Sequence, residues 1–189
     1  MGLPRIAVDL DGVLADTMKA SCKIINTRYS TRFIVASFNR WKAWETAGIS
    51  KDEFFHTLDE AWFDWRSLPP TEERLSEKVG KLLEFSIVDI VTGRSPQTVP
   101  SAKRWLETQR IGFNTFIRTD STMEKIDLDY DVFIDDSPEL VSALASKPNG
   151  HAILYTQPWN KEVQEMPRIM RANSWTQIPE LVKAVLNAW

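Results

Sequence analysis

The chain has 189 residues, with 23 Lys and Arg set against 26 Asp and Glu for a formal net charge of −3. The length suits one α/β domain with a modest insertion. The two signs are interspersed with no basic stripe, which excludes a nucleic-acid polymer as the expected partner and leaves any bound nucleotide as a small, pocket-held one. The single Cys22 excludes an internal disulfide, and no apolar segment reaches signal or membrane-spanning length, so a cytoplasmic protein without a membrane partner is expected.

The first predicted element is a strand over Ile6-Ala7-Val8, running straight into Asp9-Leu10-Asp11-Gly12. Ala15 to Tyr29 has helical spacing, with Met18, Cys22 and Ile25 on one stripe; Cys22 is a small core residue in that reading. Arg32 to Leu68 departs from a regular α/β repeat and is dense in aromatics: Trp41, Trp44, Phe54, Phe55, Trp62, Phe63 and Trp65, closed by Pro69-Pro70. This segment is too short to bury a core unaided and reads as a small helical cap over residues 31–68, with residues 1–30 and 69–189 forming the main domain.

From Thr71 a capping-box-like Thr-Glu-Glu-Arg predicts a helix to about Glu84, followed by a strand over Ser86 to Val91 and a helix from Pro96 to Thr108. Phe113 to Ile117 reads as a short strand, and Asp131 to Ile134 as another. A helix over Pro138 to Ser146, strands over Ala152 to Tyr155 and Ile169 to Ala172, and a closing helix over Trp175 to Ala188 complete the chain. The stretch from Thr156 to Arg168 is a loop of functional character. Alternation of strand and helix implies a Rossmann-like, doubly wound and mainly parallel sheet with helices on both faces.

Asp9 and Asp11, two residues apart at a strand end, face one small volume where open α/β sheets hold ligands. Two carboxylates so close repel unless a cation neutralises them or one keeps a proton. Two further strand ends carry polar groups, Thr92-Gly93-Arg94 and Asp135-Asp136-Ser137-Pro138, and Lys125 is the only Lys between Lys103 and Asp135. A doubly wound sheet brings these ends to one crevice, uniting Asp9, Asp11, Thr92, Lys125, Asp135 and Asp136. Each piece alone also has a plain reading: a polar turn at Asp9 to Gly12, an N-cap at Asp135 or Asp136, a solvated surface Lys. Lys125 sits in a short segment without a clear helical pattern. His56 and His151 have no ligand-like or triad-like partners in the sequence.

An Asp-x-Asp strand end, a Thr strand end, a Lys and an acidic pair, in that order, resemble the haloacid dehalogenase superfamily. A two-component receiver domain has its acidic pair first, so the order argues against one. More narrowly, residues Asp9 to Asp16, Val91 to Arg94, Phe133 to Pro138 and Gln157-Pro158-Trp159-Asn160-Lys161 look like the 5'(3')-deoxyribonucleotidase type of 5'-nucleotidase. The resemblance implies a phosphomonoesterase in which Asp9 is the nucleophile and Asp11 the acid and base. It implies Mg2+ held by the Asp9 carboxylate, the Asp11 carbonyl and the acidic pair, with Asp135 a direct ligand and Asp136 bound directly or through water. Thr92, Gly93, Arg94 and Lys125 would hold the phosphoryl group, with Arg94 alternatively taking a second anionic group or the Asp135 to Ser137 loop.

The expected substrate is a small phosphorylated metabolite, with a nucleoside monophosphate favoured. Phe38, Trp41 and Trp62 are the candidates to stack on a base, against a core role for the same rings. Trp159 either shields the site or closes the fold. A phosphatase of a sugar phosphate is the alternative within enzymes, because the cap selects the leaving group. A binding or regulatory module without turnover is the alternative of another class, and it has no need of Asp11.

Overall fold

The computed structural model describes residues 2–147, 150–166 and 168–187. Six parallel strands form one sheet: β1 (Arg5–Val8), β2 (Ile87–Thr92), β3 (Phe116–Arg118), β4 (Val132–Asp135), β5 (His151–Tyr155) and β6 (Ile169–Ala172), in the order β3-β2-β1-β4-β5-β6. β1 pairs with β2 on one side and β4 on the other, with Val8 opposite both Ile90 and Ile134. The chain therefore winds outward in one direction through β2 and β3, and in the other through β4, β5 and β6. This makes the carboxyl end of β1 the switch point, where the diverging connections open a crevice.

Parallel strands covered on both faces need apolar residues on both. On one face Ile6, Val8, Val88, Ile90, Val132, Ile134 and Ile153 pack with residues from α4 (Leu75–Leu83), α5 (Val99–Thr108) and α8 (Ile178–Asn187), around the fully buried Trp105 and Trp175. On the other, Ala7, Val91, Phe133 and Leu154 meet α6 (Thr122–Asp127) and α7 (Pro138–Ala145). A third apolar cluster joins α1 (Thr17–Tyr29), through Met18, Cys22 and Ile25, to Phe38, to Ala43 of α2 (Ala43–Ala47) and to Phe54 of α3 (Lys51–Phe63). The aromatic-rich segment is thus largely helical, and it buries Phe38 and Phe54 against α1 while Trp62 joins the cluster around Trp105.

Several element ends differ from expectation. α4 begins at Leu75 rather than Thr71: Thr71 Oγ1 donates to Val13 O at 2.7 Å, and Arg74, with φ of 55°, is the left-handed cap. Glu72 turns inward, accepting from Tyr155 Oη at 2.6 Å, Trp175 N at 2.7 Å and Lys78 Nζ at 2.6 Å. That use of Thr71 to anchor the loop after β1, and of Glu72 to tie Tyr155 and Trp175, displaces the helix start. β3 lies at 116–118 instead of 113–117 because its pairing is set by Ile90, Val91 and Thr92. α8 starts at Ile178, after a turn in which Ile178 N donates to Trp175 O, and the expected end at Ala188 lies outside the described residues. Lys125 lies within a helix, α6, capped by Ser121.

Gly12 turns the chain out of the β1 loop with φ of +74°, and a Cβ there would collide with the Asp136 carboxylate and touch Trp159. A left-handed backbone costs an L-residue about 1–2 kcal/mol. Gly12→Ala should therefore lower unfolding free energy by at least that amount in a denaturant titration, with further loss from displacing Asp136. An unchanged midpoint would show that the turn tolerates a side chain.

Candidate active site

The switch-point crevice is a cavity of about 500 Å³ whose walls include Asp9, Asp11, Thr92, Gly93, Arg94, Lys125, Asp135 and Asp136. They reach it from four chain segments. Asp9 follows β1 and continues its ladder, Asp9 N donating to Ile134 O at 2.9 Å. Thr92 ends β2, Asp135 ends β4, and Lys125 comes from the last turn of α6. The separate strand ends proposed from sequence are brought together.

Lys125 Nζ donates to Asp9 Oδ1 and to Asp135 Oδ2, both at 2.6 Å. Asp135 Oδ1 accepts from Ser137 N at 2.8 Å. Asp136 Oδ2 accepts from Trp159 Nε1 at 3.0 Å, and Asn160 Nδ2 holds the Asp136 carbonyl at 2.9 Å. Gln157 Nε2 donates to Gly12 O at 2.6 Å. The Gln157 to Asn160 loop thus buttresses the acidic pair, while Trp159 also packs into the α1–α3 cluster. Both alternatives weighed for Trp159, beside the site and within the fold, apply to the one ring.

Burial pushes the Asp9 carboxyl from its ordinary 3.8 up to about 7; Lys125 opposes the shift, and Asp135 and Asp11 add to it. Asp136 is driven well upward by burial and then by the charges of Asp135, Asp9 and Asp11. Burial by itself would depress the Lys125 ammonium, but Asp135 and Asp9 outweigh it and hold Lys125 above its usual value. One ammonium does not compensate the carboxylates around it.

Asp9, Asp135 and Asp136 each offer an oxygen within 4.8 Å of the others, all three residues being buried. An all-oxygen, anionic donor set of this kind fits a hard divalent cation such as Mg2+. The surplus of buried negative charge is the independent reason the residues suit one.

Asp11 lines the cavity but is held differently. Its Oδ1 accepts from the Thr17 hydroxyl and from Trp62 Nε1, the latter at 2.7 Å. Arg94 pairs with Asp11 and with Asp59 of α3, its side chain only 5% exposed. The Arg94 guanidinium thus meets Asp11 and Asp59 and not the Asp135 to Ser137 loop, which corrects that one alternative. Phe38 and Trp62 are each 0% exposed, and neither lines the cavity. Their expected stacking role is corrected, because rings buried in the packing present no face to a base. Trp41 does line the cavity, together with Trp44, Lys51 and Phe55. Asp59 and the indole N–H of Trp62 were missed as site groups; the signal was their spacing of three along one helix.

The fold is that of haloacid dehalogenase-like hydrolases. Solved structures of similar fold include a haloacid dehalogenase-like hydrolase of Streptococcus pneumoniae, at TM-score 0.65 and 13% identity over 97% of this chain and 98% of that one. The L-2-haloacid dehalogenase of Xanthobacter autotrophicus aligns at TM-score 0.61 and 11% identity, covering 97% and 99% of the two chains. A hydrolase of the same superfamily from Bacillus subtilis, described as bound to magnesium, aligns at TM-score 0.55 and 11% identity over 96% and 99%. No curated protein matches the chain in sequence. Residues 4–188 match the family described as 5' nucleotidase, deoxy (pyrimidine), cytosolic type C, and the chain belongs to that family.

The raised Asp9 value has a sign that can be tested. A carboxyl whose folded value exceeds its unfolded value binds more protons folded, so stability falls as pH rises between the two. Metal-free Asp9→Asn, which never ionises, should melt above wild type at pH 8. That gap should narrow as pH falls through about 7 and close near the ordinary 3.8. A gap independent of pH would show that Asp9 is not the group under strain.

Proposed function

We propose that the protein is a magnesium-dependent phosphomonoester hydrolase working through an aspartyl phosphate on Asp9, with a nucleoside monophosphate as substrate. The observation that carries the reading is Asp9 at the switch point, 2.6 Å from Lys125 and clustered with Asp135 and Asp136. Membership of a cytosolic 5'-nucleotidase family supports the substrate and a cytoplasmic location.

The chemistry follows from the placement. An Asp9 oxygen attacks phosphorus, the ester P–O bond breaks, and the departing oxygen takes a proton from Asp11. Asp11 then removes a proton from water, whose oxygen attacks phosphorus and breaks the bond to Asp9, releasing inorganic phosphate. Lys125 neutralises Asp9 and stands ready for phosphoryl oxygens, with Thr92 and the backbone N–H groups of Gly93 and Arg94 as further donors. Bound Mg2+, held by Asp9, Asp135 and Asp136 with the Asp11 carbonyl, supplies the positive charge that keeps Asp9 ionised and offsets the substrate's negative charge.

For the leaving group, the rim offers Trp41 together with Trp44 and the half-exposed Phe55, whose ring centroids lie 6.1 Å apart, with Lys51 Nζ 5.6 Å from the Trp44 ring. Flat rings at a cavity mouth suit a nucleobase.

Asp9→Asn should abolish phosphate release and trapping by beryllium fluoride while the protein still folds, and chelation of wild type should stop turnover until Mg2+ is returned. Full activity in excess chelator, or in Asp9→Asn, would remove the mechanism. Separately, Trp41→Leu should reduce turnover of a nucleoside monophosphate by roughly five- to a hundredfold while sparing a small phosphate ester, since stacking is worth about 1–3 kcal/mol per base. Equal losses on both would place Trp41 in the packing alone.

A further inference from the structure

α3 reaches the Asp11 carboxylate by two routes. Trp62, one turn beyond Asp59, donates its indole N–H to Asp11 Oδ1 at 2.7 Å, and Thr17 donates to the same oxygen. Arg94 Nη1 lies 3.3 Å from Oδ1 and 3.4 Å from Oδ2, at or beyond the long end of a hydrogen bond and far from the short paired contacts a guanidinium makes with a carboxylate by preference. The rest of the guanidinium is drawn elsewhere. Nη2 pairs with Asp59, and Nε faces Thr98 Oγ1 at 3.4 Å. Asp59 is fixed in turn by Ser95 Oγ at 2.9 Å and Gln97 Nε2 at 3.3 Å.

Oδ1 of Asp11 is therefore crowded by donors, while among the described residues Oδ2 has only the stretched contact to Arg94. An arginine released from Asp59 would close on Asp11 as a two-pronged pair, the geometry its planar fork favours. That clasp would cover Oδ2 and leave the carboxyl no oxygen for a substrate.

We infer that Asp59 is a positioning residue: by drawing Arg94 toward α3 it keeps Asp11 Oδ2 open to the leaving group, while Trp62 of the same helix fixes Oδ1. This rests on the phosphatase reading of Asp11. It makes the helical insert part of the proton-transfer machinery, and not only the wall that selects the leaving group. A leaving oxygen that needs a proton depends on Asp59, and one that departs readily as an anion depends on it far less.

The test uses the full chain with Mg2+ and two small esters, phenyl phosphate with a poor leaving group and p-nitrophenyl phosphate with a good one. Asp59→Asn should lower kcat/KM for phenyl phosphate about tenfold or more, the scale of a misplaced catalytic group, and for p-nitrophenyl phosphate clearly less. Equal losses on the two esters, or none on either, overturn the inference. In an Arg94→Gln background, adding Asp59→Asn should change neither value, because Asp59 acts through Arg94; a further selective or general loss overturns it. The double variant leaves no buried charge of this pair unmatched, so it serves where Asp59→Asn alone does not fold. Wild type inactive on both esters would instead overturn the phosphatase reading from which the inference starts.

Discussion

The ammonium of Lys125, 2.6 Å from both Asp9 and Asp135 with all three groups buried, ties the end of β1 to the α6–β4 segment more than a hundred residues further along the chain. Removing the ammonium would leave two buried carboxylates without their partner, which costs several kcal/mol. The sheet order makes the contact available: β4 lies beside β1, so the carboxyl ends bearing Asp9 and Asp135 are neighbours, and α6 delivers Lys125 just before β4 begins. The single ammonium is nevertheless too little for Asp9, Asp135 and Asp136 together. Burial, with the neighbouring carboxylates adding to it, makes Asp9 hold its proton to about 7, and the deficit of positive charge gives the oxygen cluster its suitability for a divalent cation.

Around this charge cluster the chain places supports of two kinds. The Gln157 to Asn160 loop holds Asp136 from behind through Trp159 and Asn160, and it reaches Gly12 through Gln157. Gly12 has no side chain because the Asp136 carboxylate stands where a Cβ would be. On the opposite side, α3 addresses Asp11 through Trp62 and Arg94 through Asp59. The two supports meet in the apolar cluster of α1, where Trp159 packs with Met18, Cys22, Phe38 and Phe54. Packing of the insert and orientation of the acidic groups are therefore one problem, solved by the same rings.

Much of the fold was readable because its determinants are local. Short β-branched runs such as Ile87 to Val91, and helical stripes such as Met18, Cys22 and Ile25, are periodic signals within a few residues. The boundaries that failed did so where a distant partner overrode a local preference. Thr71 and Glu72 look like the start of a helix, but Val13, Tyr155 and Trp175 claim their side chains. No window around Thr71 contains those partners.

The sequence by itself determined the succession of strands and helices and the order in which the polar strand ends occur. It also determined that Asp9, Asp11, Thr92 and the Asp135-Asp136 pair stand at strand termini, because alternation and turn chemistry are written residue by residue. Only the tertiary structure decided which aromatics of the insert are packed and which face the cavity. Phe38, Trp41 and Trp62 are alike in sequence, yet Phe38 and Trp62 are sealed while Trp41 borders the crevice. It alone decided that Arg94 belongs to Asp11 and Asp59. Both outcomes depend on how α3 seats against α1 and the β2 loop, a relation between surfaces that meet only once the sheet has formed, and pairing across such distances leaves no periodicity to read.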